Sequence, residues 1–345
     1  MQAGNSAAIV VSRKMNSTPD VSVVLSVRNG GADLPKAIES ILAQTFANFE
    51  LIAINNGSTD GTRSYLDGIS DPRVRVFHQT DAGLAAALNQ GIALARGHYI
   101  ARQDHDDLAD PSRIAKQVEF LDAHPDHALV GTCAEIWVGE KRSGRFHDHP
   151  ASDHILRFDL LFNNPFVHSS VMIRKSALDR VGVYTMDPGR QPPEDYELWS
   201  RISRHYCVAN LPERLTIYRE VPSSMSRAGA EPFLQKLVTI SSENLAHATG
   251  AAVPQRIHIE IAALIHGAEL QSLRRLDVER MCAVIADAGN KFGDGRPGPE
   301  LAQRIVDAQA HLRHCLRLRQ PAYGLVWRTA RAVRNHLRRL SLAVR

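Results

Sequence analysis

Residues 21–62 read VSVVLSVRNGGADLPKAIESILAQTFANFELIAINNGSTDGT, and this stretch decides the predicted fold. It holds two apolar, β-branched runs, VSVVLSV at 21–27 and FELIAI at 49–54. Runs that are apolar almost throughout predict parallel strands that are covered on both faces. A polar turn follows each run, RNGG at 28–31 and NNG at 55–57, so each predicted strand ends in groups that can bind a ligand.

Strand and helix patterns continue to alternate after this stretch. Such alternation predicts an α/β fold with a Rossmann-like, mostly parallel sheet and helices on both faces. Ligands of these sheets bind outside the carboxyl ends of the strands, so the loops that follow the strands are the candidate site. The predicted elements are a helix carrying Leu34, Ile38, Ile41 and Leu42, a helix opened by Ser58-Thr59-Asp60-Gly61, a strand at Val74 to Phe77, a helix from Gly83 to Ala95, a strand from His98 to Ala101 that runs into Asp104, a strand at Val167 to Ile173, a helix at Glu194 to Ile202 and a strand at Leu215 to Tyr218.

Length and composition indicate a globular protein with more than one region. The chain has 345 residues, of which 44% are hydrophobic and 23% charged. Strand-like runs disappear after residue 226, so we expect a flexible leader at 1–19, a catalytic domain at 20–226 and an all-helical C-terminal region at 227–345, which GDGRPGP at 293–299 divides. The four cysteines form no C-x-x-C pair and no apolar run is long enough to cross a bilayer, so a cytoplasmic protein is expected.

Basic residues are concentrated at the C-terminal end. The net charge is +4, and nine arginines but no acidic residue follow Asp307. Residues 326–344 place valine, alanine and leucine on one helical stripe flanked by arginines, which predicts a basic amphipathic helix at the inner face of a membrane. The alternative is a helix docked on its own domain or on a partner chain. We expect no nucleic-acid partner, because the rest of the chain is not basic and carries no nucleic-acid-binding motif.

Two acidic segments carry the expected chemistry. The segment DHDD at 104–107 follows a predicted strand directly, and carboxylates this close repel one another unless a divalent cation lies between them. The alternative is an acidic loop that caps the helix near Pro111. The pair Glu194-Asp195 precedes a helical pattern, where it either compensates the helix dipole or supplies a general base.

Four segments in order resemble the family 2 inverting glycosyltransferases, which have the GT-A fold. The opening 21–62 is similar to the start of that family, and GHYIARQDHDDLADPSRIAKQVEFL at 97–121 is similar to its D-x-D segment. LLFNNPFVHSSVMIRKSALDRVGVY at 160–184 and PPEDYELWSRI at 192–202 resemble its acceptor-side segment and its E-D motif. Four motifs at sensible spacing are far more specific than any one of them.

The resemblance implies a reaction and a role for each matching residue. A sugar passes from a nucleoside-diphosphate sugar to a hydroxyl of a glycan or lipid-linked glycan with inversion, assisted by Mg²⁺ or Mn²⁺, and UDP- or dTDP-sugars are favoured over GDP-sugars. The residues implied are Asp195 as the catalytic base; Asp104 and Asp106 as metal ligands; Ser26, Arg28, Asn29, Asn55, Asn56, Arg102 and Asp104 at the donor; and Glu194, His168, Trp199 and Arg219 in the acceptor pocket.

The sequence departs from the family pattern at three places. Asn55 and Asn56 stand where relatives carry at least one aspartate, so a base would be met by neutral carbonyls, without the charge assistance of a carboxylate. Arg28 replaces a common tyrosine, and its guanidinium either stacks on a base, pairs with a phosphate or does neither. Val221 replaces a histidine near the end of the catalytic region, so a metal or phosphate contact is missing there.

Two other functions share parts of this pattern. A sugar nucleotidyltransferase would need a G-x-G-T-R-type loop after the first strand, and RNGG at 28–31 is not that loop. A non-catalytic nucleotide- or glycan-binding relative fits the departures but not the retained aspartates. The histidines of HDH at 147–149 are either a metal site or, as we expect, a solvated loop.

Overall fold

A computed structural model describes residues 18–220, 231–269, 276–293 and 295–319. The chain divides between Gly229 and Ala230 into two compact units. The predicted leader up to residue 17, the position of Val221 and the predicted amphipathic helix at 326–344 lie outside the described residues.

The first unit is built on one mixed sheet. Its described residues contribute nine strands, in the order β3-β2-β1-β4-β8-β6-β9-β5, with β7 paired to β6. The first four strands are all parallel, as predicted, while β8 is antiparallel to both β4 and β6. The strands are β1 (Val21–Val27), β2 (Phe49–Asn56), β3 (Val74–Gln79), β4 (Tyr99–Asp104), β5 (Leu108–Ala109), β6 (His127–Val138), β7 (Lys141–His147), β8 (Met172–Arg174) and β9 (Cys207–Glu220).

Helices cover both faces of the parallel half. The odd-numbered residues of β1 share a buried cluster with Leu34 and Ile38. Val24 faces the other way and lies under Gly91, where a Cβ atom would come within 2.4 Å of a Val24 methyl. Burial on both faces explains why these strands are apolar almost throughout. The helices of this unit are α1 (Asp33–Leu42), α2 (Thr62–Asp67), α3 (Leu84–Leu94), α4 (Arg113–Ala123), α5 (Asp153–Asp159), α6 (Lys175–Val181) and α7 (Glu194–Ser203).

The second half of the sheet differs from the prediction. The segment 167–173, predicted as a strand, forms a 3-10 turn at His168–Ser170 before β8, because the Ser170 amide and hydroxyl both donate to the Val167 carbonyl. The predicted strand at 215–218 is part of the much longer β9. Residues 212–214 of β9 are exposed and interrupt its apolar pattern at the point where the pairing register between β9 and β6 shifts. Because of this bulge, the sequence pattern predicts only the last part of the strand.

The second unit is helical, as predicted. The segment GDGRPGP at 293–299 separates two helices. Helices also end at Ala248 and before Gly267, which has a positive φ of 77° and caps its helix in the left-handed conformation. Within the described ranges, no helix is long and apolar enough to cross a membrane. The helices are α8 (Glu231–Ala248), α9 (Arg256–His266), α10 (Val278–Phe292) and α11 (Pro299–Arg319).

Candidate active site

The carboxyl ends of β1, β2 and β4 bring predicted donor and metal residues together. In the parallel register, Ser26 lies beside Asp104 of β4, and the next residue of β1, Val27, lies beside Asn55 of β2. Ser26 and Asn55 are both buried, while Asp104 is partly exposed. This edge of the sheet therefore brings the start of the DHDD segment close to the polar turns RNGG and NNG that follow β1 and β2.

Arg102 sets the electrostatics of the DHDD segment. Its buried guanidinium donates a hydrogen bond of 2.6 Å to Oδ1 of Asp104. Burial acts to raise the pKa of Asp104, but opposing interactions, of which the charge of Arg102 is the largest, together outweigh burial and lower it. Asp106 behaves oppositely, since burial and then the charge of Asp104 raise its pKa.

Asp104 and Asp106 are the candidate ligands for a divalent cation. In the described part of the chain, the Asp106 carboxylate has no hydrogen-bond partner outside its own backbone, and the nearby charge of Asp104 disfavours its ionisation. A cation would relieve that repulsion, and Mg²⁺ or Mn²⁺ prefers carboxylate oxygens. Two carboxylates leave most of the coordination shell for phosphate oxygens and water, as is usual for Mg²⁺.

The third aspartate of the segment turns inward. Asp107 is buried, and its carboxylate accepts hydrogen bonds from the Ser169 hydroxyl and, at 2.7 Å, from the Arg219 amide. The Arg113 guanidinium donates a hydrogen bond of 2.5 Å to the backbone carbonyl of Ser169. Burial, then the charges of Asp104 and Asp106, raises the pKa of Asp107 well above its ordinary value. Asp107 therefore ties the DHDD segment to the 3-10 turn and to β9, a role that its sequence position did not reveal.

The acidic pair opens α7 in two different environments. Asp195 accepts hydrogen bonds from Asn164 Nδ2 at 2.8 Å and from the Tyr196 amide at 2.7 Å. Glu194 is buried, and burial followed by the charge of Asp195 raises its pKa to about 7. The charges of Arg102 and Asp104 also act on Glu194, so the acidic pair and the DHDD segment belong to one site.

His168 is close enough to both acidic segments to interact with their charges. Its Nε2 is 2.9 Å from the Tyr184 hydroxyl, and the charges of Asp195 and Asp104 both act on it. Burial and then the charge of Arg102 lower the pKa of His168 to about 4, so the imidazole is neutral at pH 7. Trp199 is fully buried behind the imidazole, with ring centroids 6.0 Å apart. In this arrangement Trp199 supports His168 and exposes no surface of its own.

The asparagines of the donor loops are engaged with their own loops. Asn56 Oδ1 accepts from Gln79 Nε2 at 2.7 Å and from the Ala82 amide at 3.0 Å. Asn55 places Nδ2 3.0 Å from His78 Nδ1, and its Oδ1 accepts from the Ser58 amide at 3.2 Å. These side chains therefore fix the loops after β2 and β3.

Asn29 and Arg28 follow the same theme. Asn29 has a positive φ of 55°, and its Oδ1 accepts from the Thr59 amide at 2.8 Å and from the Thr59 hydroxyl at 3.4 Å. Arg28 pairs with Asp81, which follows β3, at 2.8 Å. The loops after β1, β2 and β3 are thus joined side chain to backbone and side chain to side chain.

Arg219 lies at the same edge but is already paired. Its buried guanidinium contacts the Asp33 carboxylate and lies 3.6 Å from Glu140. Glu140 in turn accepts from Lys36 at 2.7 Å. The side chain of Arg219 therefore joins β9 to α1 and the β6–β7 turn, while its backbone holds Asp107.

Among the described residues, three side chains of metal-ligand type lie close together elsewhere, away from the DHDD segment. Asp126, His127 and Cys207 place one ligand atom each within 4.8 Å of one another, at the start of β6 and β9 and so at the opposite edge of the sheet. Burial, then the charges of Asp153 and Asp126, raises the pKa of the Cys207 thiol to about 11, and a thiol that keeps its proton is a poor ligand. In the HDH segment at 147–149, the carboxylate pairs with an arginine and the two imidazoles stack.

Comparisons with known proteins identify the family of this chain. The family described as glycosyl transferase family 2 matches residues 22–182. An uncharacterized glycosyltransferase of Haemophilus influenzae is 34% identical over 216 residues, covering 59% of this chain and 67% of the relative. EpsE of Bacillus subtilis, whose name assigns it provisionally to the glycosyltransferases, is 35% identical over 220 residues, covering 62% of this chain and 77% of the relative.

Two solved structures share the fold. TarS 1–349 of S. aureus, in complex with UDP-GlcNAc, gives a TM-score of 0.57 at 14% identity, over 87% of this chain and 91% of that chain. The mannosyltransferase PcManGT of Pyrobaculum calidifontis, in complex with GDP-Man and Mn²⁺, gives 0.50 at 16% identity, over 88% of this chain and 87% of that chain. Sequence, fold and the grouping of acidic motifs lead to one assignment: this chain belongs to glycosyl transferase family 2, with a GT-A fold.

Proposed function

We propose that this glycosyltransferase moves a sugar from a nucleoside-diphosphate sugar to a hydroxyl acceptor with inversion, and that Asp195 is the general base. The observation that carries the proposal is the convergence of two acidic groups on one site. Arg102 and Asp104 of β4 act electrostatically on Glu194 at the start of α7, and His168 feels both Asp104 and Asp195. Two carboxylates that could hold a cation, together with a hydrogen-bonded carboxylate that could act as a base, suit the transfer of a sugar from a nucleoside diphosphate.

Asp104 and Asp106 would hold Mg²⁺ or Mn²⁺, and the cation, when bound, supplies charge stabilisation to a leaving diphosphate. The same two metals suit carboxylate ligands, and PcManGT was solved with Mn²⁺ and GDP-Man. TarS was solved with UDP-GlcNAc, and we propose a UDP- or dTDP-sugar as the donor of this chain. Ser26, Arg28 and the first two polar loops would surround that donor.

Asp195 would take the proton of the acceptor hydroxyl while the oxygen of that hydroxyl attacks the anomeric carbon. The bond from that carbon to the diphosphate oxygen breaks as the new bond forms on the opposite face, so the configuration inverts. The hydrogen bonds from Asn164 and Tyr196 aim the Asp195 carboxylate. Glu194, with a pKa of about 7, carries a proton part of the time at neutral pH and so limits the negative charge beside the base.

The remaining expectations concern the acceptor and the cell. We propose a glycan or lipid-linked glycan as the acceptor. His168, which Trp199 supports, and Arg219 would lie near it. The catalytic region would span 20–226 and the helical region 227–345. We place the protein in the cytoplasm, at the inner face of the membrane through the helix at 326–344; unchanged membrane partitioning after truncation of that helix would refute the membrane contact.

The test is donor hydrolysis, which needs no acceptor. Purified protein is incubated with UDP-, dTDP- and GDP-sugars and Mn²⁺, Mg²⁺ or EDTA, and the released nucleoside diphosphate is measured. We expect release from one donor, lost with EDTA. Asp195→Asn should lower turnover by roughly 10² to 10⁴, the usual contribution of a general base, and leave nucleotide binding unchanged.

The matched control is Asp148→Asn, an exposed aspartate paired with Arg214 at 2.6 Å, which should keep full turnover. Full turnover by Asp195→Asn would refute its assignment as the base. Nucleotide binding without release from any donor would indicate that the acceptor is missing from the assay, whereas the absence of both release and nucleotide binding would favour the non-catalytic alternative.

A further inference from the structure

The amide oxygens expected to meet a nucleobase are occupied. An amide oxygen offers about two lone pairs. Asn56 Oδ1 accepts two hydrogen bonds, from Gln79 and Ala82, and Asn29 Oδ1 also accepts two, both from Thr59. Asn55 Oδ1 accepts one, but the side chain is buried. The asparagine oxygens at this edge could therefore accept few hydrogen bonds from a nucleobase.

Asp81 offers what the asparagines lack. Its Oδ1 accepts from the Gly83 amide at 3.2 Å and from Asn56 Nδ2 at 3.4 Å. Among the residues that the structure describes, its Oδ2 contacts only the Arg28 guanidinium, as an ion pair at 2.8 Å. A carboxylate provides about four lone-pair positions, so Oδ2 keeps one. The Asp81 side chain is 40% exposed, and that of Arg28 is 60% exposed.

The pair of Asp81 and Arg28 spans the end of β2. Arg28 follows β1, Asp81 follows β3, and β2 lies between those strands in the sheet. Asn56, the last residue of β2, contacts the Asp81 carboxylate and the backbone beside it. The pair therefore closes the β2–β3 side of the edge, while Asp104 lies on the β4 side.

We propose that Asp81, with Arg28 beside it, reads the nucleobase of the donor in place of Asn55 and Asn56. This inference rests on the proposed function and names its donor class, a uracil or thymine nucleotide. The imide N3–H of such a base donates to Asp81, and the guanidinium of Arg28 donates to a neighbouring base carbonyl. An exposed ion pair contributes little by itself, so sharing its groups with a base costs little.

The experiment compares UDP with N3-methyl-UDP, in which a methyl group replaces the imide hydrogen. Binding of both to the full chain is measured by calorimetry with Mg²⁺ present. A hydrogen bond to a charged group predicts that the wild-type protein prefers UDP by roughly tenfold to hundredfold. Asp81→Ala should bring this ratio close to one, and Asp81→Asn, which keeps an oxygen acceptor, should give a value between these limits.

Two carboxylates provide matched controls. Asp60 is exposed in the loop after β2 and accepts from the Gly31 amide at 3.3 Å, and Glu213 is an exposed partner of Lys116 at 3.1 Å. Asp60→Asn and Glu213→Gln should keep the wild-type ratio. Circular dichroism of Asp81→Asn and Asp81→Ala confirms that each variant is folded.

Each outcome decides the matter. A wild-type ratio retained in both Asp81 variants overturns the inference and leaves the proposed function intact. A wild-type protein that binds GDP but not UDP overturns the imide reading alone. A wild-type protein that binds no nucleoside diphosphate overturns the proposed function itself.

Discussion

A Glu194→Gln variant is expected to gain stability relative to the wild-type protein as the pH rises from 5 to 9. Glu194 is 6% exposed, and burial followed by the charge of Asp195 raises its pKa from 4.5 to about 7. Because the folded-state pKa lies above the unfolded one, ionisation opposes folding. The penalty is absent below pH 4.5, grows between pH 4.5 and 7, and is complete above pH 7.

The size of the penalty follows from the same two values. The interval from 4.5 to about 7, at 1.36 kcal/mol per pKa unit, gives about 3 kcal/mol at pH 9. At pH 5 the same relation leaves less than about 1 kcal/mol. Glutamine has the shape of glutamate and never ionises. The free energy of unfolding of Glu194→Gln minus that of the wild type should therefore rise by about 2–3 kcal/mol between these pH values.

Urea denaturation, followed by tryptophan fluorescence, measures this difference. Trp137 and Trp199 both lie in the first unit and report on its unfolding. Glu119→Gln, an exposed glutamate on α4, is the control and should follow the wild type within about 0.5 kcal/mol at every pH. Parallel curves for Glu194→Gln and the wild type would refute the raised pKa. In an Asp195→Asn background the pH effect should shrink, because one of its two main causes is removed.

Two further variants test the packing beneath the site. Glu50 is fully buried, and although burial opposes it, hydrogen bonds from Arg96 and Arg75 lower its pKa, so its stabilisation is present above pH 4.5 and is lost as the pH falls below it. Glu50→Gln should cost about 3 kcal/mol at pH 7 and less at pH 4, and equal urea midpoints at pH 7 would contradict this. Gly91→Ala, which in an open helix would stabilise, should cost about 1–3 kcal/mol because the new methyl meets Val24 at 2.4 Å. A thermal melt measures it, and partial rescue by Val24→Ala would confirm the cause.

The parallel half of the fold was predictable because its information is local. Strands β1 and β2 are buried along their whole length, so each reads as a continuous apolar run. The other half of the sheet, which mixes parallel and antiparallel pairs, depends on pairing between distant segments. β6 is bordered by β9, whose apolar pattern is broken by an exposed stretch and shifts of register, and by the exposed β7. No local pattern marks such strands.

The positions of the acidic residues in the fold were predictable for the same reason, and their hydrogen-bond partners were not. Asp104 follows a strand and Asp195 opens a helix, which sequence spacing reveals. Whether an amide is free depends on what folds against it. The Asn56 side-chain oxygen accepts hydrogen bonds from Gln79 and from the backbone after β3. Only the folded loops show that the Asp81 carboxylate can still accept a further hydrogen bond.

The DHDD segment resolves its own repulsion by facing its carboxylates in different directions. Arg102 favours the ionised form of Asp104, while burial and the charge of Asp104 raise the pKa of Asp106, and a cation would oppose that repulsion. Asp107 points inward and accepts hydrogen bonds from the Ser169 hydroxyl and a β9 amide. Because Ser169 belongs to the turn that carries His168, the metal-type loop and the acceptor-side turn are one connected element. Asp107, to which the sequence pattern gave no role of its own, therefore connects the DHDD segment to the turn that carries His168.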